Sequence, residues 1–225
     1  KADGSAAASG AIETIGERSY ELKDLLRKQT TEVRTRELEE QIADQLRGFD
    51  AEECSFPELD RIGTPLVREF KGNVPRLAKV AGARLSLALP LEKLAPLLSA
   101  LVSKDQRRQD LVLDFDLNQT DALRIRPPEG YNFAVVPDDV LLPCAPLTYS
   151  LAFRLEKGEL VVTRRLVLGP GRVPTHAYAD FVRQVRRIGQ VEDVQLTLVK
   201  DGTKAAGKDD IAPKGGKKSG EKEEI

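Results

Sequence analysis

The sequence predicts an α+β protein, mostly antiparallel β and sandwich-like, with two helical segments packed on the sheets. Three patterns carry that prediction. Apolar residues alternate through Leu111, Leu113, Phe115 and Leu117, and again through Tyr149, Leu151, Phe153 and Leu155 and Leu160, Val162, Leu166 and Leu168; this is the period of strands with one buried face. Tyr178, Phe181, Val182, Val185 and Ile188 recur at helical spacing, with Arg183, Arg186 and Arg187 off the stripe. Leu38, Ile42 and Leu46 do the same, backed by Glu37, Glu39, Glu40 and Asp44.

Taken in order, small residues open the chain and a short strand is expected over Gly10–Ile15. Leu22, Leu25 and Leu26 start a helical region, which Thr30 or Thr31 can cap anew. Gly48 suits the residue just past a helix end near Arg47. Strands are expected at Ala51–Phe56, Leu66–Phe70 and Ala83–Leu89, with Pro57–Pro65 a loop and Lys71–Gly82 a connection. Leu94–Val102 reads either as a helical turn or as an apolar loop. After the alternation at Arg108–Leu117, strands follow at Ala122–Arg126 and Phe133–Val136, with a turn at Pro127–Tyr131. The run Tyr149–Leu168 is a hairpin about Glu156–Glu159. In its return strand Arg164 interrupts the apolar series, which points to a bulge, an edge, or a strand leaving the core. A helix from Tyr178 is expected to stop at Gly189, before a last strand through Val194, Leu196 and Leu198.

A length of 225 residues suits one large domain or two small ones. The expected division is a helical and β first part over 1–95, a β-sandwich-like part with one helix over 96–200, and a disordered charged tail over 201–225. With no tryptophan and 5% aromatics, Leu, Val and Ala must supply the buried area. Lys and Arg total 35 against 36 Asp and Glu, so no long-range field draws nucleic acid or anionic lipid. No apolar run reaches the ~20 residues of a membrane helix. The sequence starts at Lys1 and lacks methionine, as a fragment or a processed product would, and any targeting segment is expected upstream.

Candidate chemistries are few. Cys54 and Cys144 are the only cysteines and His176 the only histidine, and no zinc-ligand spacing exists. The thiols could form a disulfide, sit free in a core, or be unrelated. Cys144 in LLPCAP with His176 could make a cysteine hydrolase or transferase. Neither stands in a recognised motif, and a helix start works against an imidazolium. Asp114–Asn118 (DFDLN) begins like a calcium loop, but Gln119 and Ile125 occupy the positions that need Gly and Glu. LGPGR at Leu168–Arg172 lacks phosphate-loop spacing. Arg164, Arg165, Arg172, Arg183, Arg186 and Arg187 form the one basic concentration, read as a solvated face that could meet phosphate or an acidic partner. No catalytic, metal-binding or cofactor-binding residue is expected. A carbohydrate-binding sandwich would need aromatic platforms that the composition does not offer.

The order of several pieces resembles a known family. Asp3–Gly4, Gly16 and the Arg/Glu-rich helix are followed by RRQDLVLDFDL (Arg107–Leu117), LRIRPPEGYNF (Leu123–Phe133) and VVPDDV (Val135–Val140). The segment from Tyr149 to Val185 follows in turn. Together, over about residues 1–200, they resemble the non-catalytic region after the core of bacterial transglutaminase-like proteins of the papain-like superfamily. The resemblance implies a β-rich accessory domain of an exported, periplasmic protein, with the remainder of the parent or another protein as partner. The family's catalytic triad lies in its core, so no catalytic residue is carried over. The charged tail after Lys200 departs from the family pattern. On this basis the expected function is non-catalytic, through interdomain or protein–protein contacts.

Overall fold

A computed structural model describes residues 1–202. The chain begins with β1 (Ala6–Thr14), α1 (Glu17–Arg27) and α2 (Thr31–Gln45), followed by β2 (Asp50–Ser55) and β3 (Leu66–Val74). β3 lies between β1 and β2 in an antiparallel sheet. The Thr30 hydroxyl accepts the Val33 N–H, capping α2 as its sequence suggests. Leu38 and Ile42 on α2 are buried with Phe49 and Val74. Phe49 meets Phe70 edge to face at 5.6 Å. β2 runs so close to β3 that a Cβ on Gly72 would stand 2.2 Å from the Asp50 carbonyl oxygen. α2 ends two residues ahead of the expected Arg47, and Gly48, at φ +78°, turns the chain toward β2.

The second part holds β4 (Lys79–Ala81), β5 (Arg84–Ala88), α3 (Ala95–Ser99), β6 (Leu111–Leu113), β7 (Leu117–Ile125), β8 (Tyr131–Phe133) and β9 (Val140–Cys144). It closes with β10 (Leu147–Glu156), β11 (Glu159–Leu168), β12 (Gly171–Val173), α4 (Tyr178–Val191) and β13 (Gln195–Lys200). One sheet runs β7-β11-β10-β9, a second β4-β5-β13-β8, and β6 pairs with β12. Every recorded pairing is antiparallel, and the sheets are open. Both four-stranded sheets send side chains into one core, including Leu85, Leu87, Leu151, Val162, Leu166, Leu196 and Leu198. The stripe Tyr178, Phe181, Val182, Val185 and Ile188 of α4 fills the same core. The β10–β11 hairpin closes through Lys157 and Gly158, both at positive φ, a two-residue turn whose twist suits the flanking strands.

Several expectations need correction. Arg164 makes no bulge and β11 is no edge: β10 and β7 flank it in continuous register. Arg164 points inward in phase with Leu160, Val162, Leu166 and Leu168. The alternation at Leu111–Leu117 breaks after Leu113, where Asp114 and Asp116 end the strand and leave Phe115 45% exposed. β9 is not among the expected strands, and its Pro143 fits because β9 is an outer strand. Gly189 does not stop α4, which continues to Val191; a Cβ there would lie 3.1 Å from Ala95 Cβ, so this glycine lets α3 approach. Lys71–Val74 belongs to β3, and among the described residues there are four α-helices rather than two helical segments. The chain changes sheet between Val74 and Lys79. From residue 203 on, the tail expected over 201–225 lies outside the described residues.

Candidate functional site

Arg164 lies at the centre of the most heavily charged buried position. A guanidinium taken from water needs acceptors around it; here three elements supply them to Nε and Nη1, while Nη2 lies 2.8 Å from Asp121 Oδ2 as an ion pair without a hydrogen bond of its own. Nε donates to Asp121 Oδ2 on β7 at 2.8 Å, and Nη1 donates to Glu192 Oε1 at 2.8 Å. Nη1 also donates to the Glu92 carbonyl oxygen. Glu192, just past α4, uses its other oxygen to accept the Leu94 N–H at 3.0 Å at the start of α3. Lys93 Nζ donates to the Glu192 carbonyl oxygen at 2.6 Å and to Asp193 Oδ1 at 2.8 Å. Arg164 is 0% and Glu192 3% exposed, so the pair is a true interior ion pair.

Burial pushes the Glu192 carboxyl above its ordinary value, although the Leu94 N–H and Arg164 oppose the shift. The Tyr149 hydroxyl shares this environment with no hydrogen-bond partner among the described residues. Burial, reinforced by the Glu192 carboxylate, pushes its ionisation far up, so it stays neutral. The cluster binds β11 to β7, the end of α4 and the 92–94 segment, and its groups face one another rather than a cleft. Each charge thus meets a partner inside the protein, as a structural tie requires.

The expected basic surface is divided in the fold. Arg164 is not on it, because its side chain is the interior partner of Glu192 and Asp121. Arg165, Arg172, Arg183, Arg186 and Arg187 are exposed. Arg172 pairs with Asp110 at 3.5 Å, Arg183 with Asp180 at 3.0 Å and Arg186 with Asp105 at 2.7 Å. Only Arg165 and Arg187 of this set lack an ion pair among the described residues. The face is largely neutralised within the chain. Arg183, Arg186 and Arg187 rim a shallow depression with Ala179, Val182 and Gln190.

Cys144 ends β9 and is half-buried, whereas His176 is exposed in the 3-10 turn Thr175–Ala177 ahead of α4. Burial pushes the Cys144 thiol up, and Asp180 adds to the shift. That is the reverse of what a nucleophilic thiolate needs. No Cys144–His176 hydrogen bond is formed among the described residues. Cys54, also free and half-buried, is likewise raised by burial. No cluster of three or more His, Cys, Asp or Glu could hold a metal among the described residues, and no described helix is long and apolar enough to cross a membrane.

A second interior cation escaped the sequence reading. Lys23 on α1 is 2% exposed, and its Nζ donates to the carbonyl oxygens of Glu58, Arg61 and Thr64 and to Thr64 Oγ1 at 2.8–3.0 Å. It shapes the β2–β3 loop around an ammonium. Lys23 sits one helical turn before the buried Leu26, which is the signal that could have placed it inside. For Arg164 the corresponding signal was its inward phase.

One part of the chain matches a known family. Residues 87–198 are a DUF3858 domain. The matching model is described as a domain of unknown function with a solved structure. The DUF3858 domain runs from the end of β5 into β13 and contains Arg164, Glu192, Asp121 and Tyr149. No link to transglutaminase-like proteins comes with it. No curated protein matches the chain, and no solved structure matches it.

Proposed function

We propose that this chain is a non-catalytic accessory unit of an exported bacterial transglutaminase-like protein, making interdomain or protein–protein contacts. The observation that carries this reading is the use of the interior charges. Arg164, Glu192, Asp121 and Lys23 are committed to joining elements, and the Cys144 thiol is shifted away from thiolate. In this reading the DUF3858 domain is a sandwich-like scaffold whose exposed face around Arg165 and Arg187 touches its neighbour.

The rival is a cysteine hydrolase or transferase using Cys144 and His176. The purified chain should turn over neither amide, ester nor glutamine-plus-amine substrates above the blank, and Cys144→Ser should change nothing. Turnover that Cys144→Ser abolishes would overturn the proposal. The bait chain should also retain a transglutaminase-like polypeptide from a periplasmic extract, and Arg165→Glu/Arg187→Glu should weaken that capture.

A further inference from the structure

We infer that the β1 edge is a self-pairing interface, joining two copies of this chain through antiparallel β1 strands. Exposed strand edges carry unpaired N–H and C=O groups and are normally protected by charge, proline, bulges or short length. Other edges here show such protection. β2 carries Asp50, Glu52 and Glu53 and a register shift between Ala51 and Glu53. β9 contains Pro143, and β4 and β8 are three residues each. β7 carries Asp121 and Arg124. β1 differs. Its nine residues pair one for one with β3 without a bulge, and Ala6–Ile12 carries neither charge nor proline.

The occupant follows from the pattern of β1 about Gly10. In a two-fold antiparallel pair centred there, Ala8 faces Ile12 of the second copy, Ser9 faces Ala11, and Ala7 faces Glu13. Ala8 and Ile12 lie on the side of the core formed by Leu38, Ile42, Phe49 and Val74. Apolar residues therefore meet apolar ones on that side, while Ser9 and Ala11 meet on the exposed side. No like charges oppose each other. Gly10 has room only for hydrogen, because a Cβ would stand 2.8 Å from the Phe70 ring. That ring covers the glycine and would flank the symmetric centre in both copies. An isologous contact of this kind closes as a dimer rather than a fibre. The contact is independent of the accessory role, since it needs no parent enzyme.

Sedimentation equilibrium of the full chain, up to about 1 mM, tests the inference. The wild type should move from monomer toward dimer as concentration rises. Ser9→Lys/Ala11→Lys, two exposed positions, places lysine against lysine twice and should weaken the dimer about tenfold. Ser9→Glu/Ala11→Lys places glutamate against lysine at the same sites, also opposite Lys71 and Glu69 of β3 within each copy, and should return the dissociation constant to within about threefold of wild type. Circular dichroism confirms that both variants fold. A wild type monomeric throughout, a dimer indifferent to the lysine pair, or failure of the lysine–glutamate variant to recover association would each overturn self-pairing. Monomeric wild type would leave the edge to a different polypeptide, such as a segment of the parent.

Discussion

Arg164 shows how a single residue can look like an interruption and act as a tie. Removing one member of a buried pair strands the other charge, so Arg164→Leu should cost about 3 kcal/mol at neutral pH, measured by urea unfolding. The cost should depend on pH in a defined direction. Glu192 holds its proton to higher pH in the folded state than in the unfolded chain. The stability this proton contributes is fully present below the ordinary glutamate value and is lost as pH rises through the raised one. Arg164→Leu removes an opposing influence and widens that window, so its penalty should shrink from pH 8 to pH 5. An unchanged penalty over that range would show that Glu192 does not respond to Arg164. Lys23→Met should cost about 1–3 kcal/mol by leaving buried loop carbonyls without donors. Hydrogen exchange should then report faster opening over 57–65.

Among the elements, the hairpin and the buried face of α4 were legible because each carries a sustained period. Glu156–Glu159 marks the turn, and five apolar residues from Tyr178 to Ile188 mark one helix face. The full length of β1 was not legible, since Ala, Ser and Gly give little apolar alternation and pairing with β3 defines the strand instead. Gly189 misled because glycine permits both a helix stop and close helix packing, and only the position of Ala95 distinguishes them. The candidate cluster was hidden for a related reason. Asp121 and Glu192 are far from Arg164 in sequence, and an arginine in phase with leucines carries no mark of its partners. Two element-level outcomes follow. Gly72→Ala should destabilise by at least about 2 kcal/mol, because β2 must move off β3, seen as a lower urea midpoint. Lys157→Asn should stabilise by about 0.5 kcal/mol, because asparagine tolerates the left-handed backbone of that turn better than lysine.

Across the whole molecule, buried residues gather in a large core for the second part and two small ones for the first. Leu77 touches both the large core and that of α2, and the Ala78 N–H donates to the Gly4 carbonyl oxygen. The seam is therefore narrow. A fragment spanning 76–202 should unfold cooperatively by itself, and loss of native near-ultraviolet circular dichroism in that fragment would show that the first part is required. The ladder between β5 and β13 carries a mechanical consequence. Arg84 at the start of β5 stands beside Val199 near the end of β13, so a chain held at those two residues is held at one end of a single antiparallel ladder. Antiparallel bonds lie across the strands. A load applied through those ends would break them one after another, and the domain would unzip under tension before its strands could slide in shear.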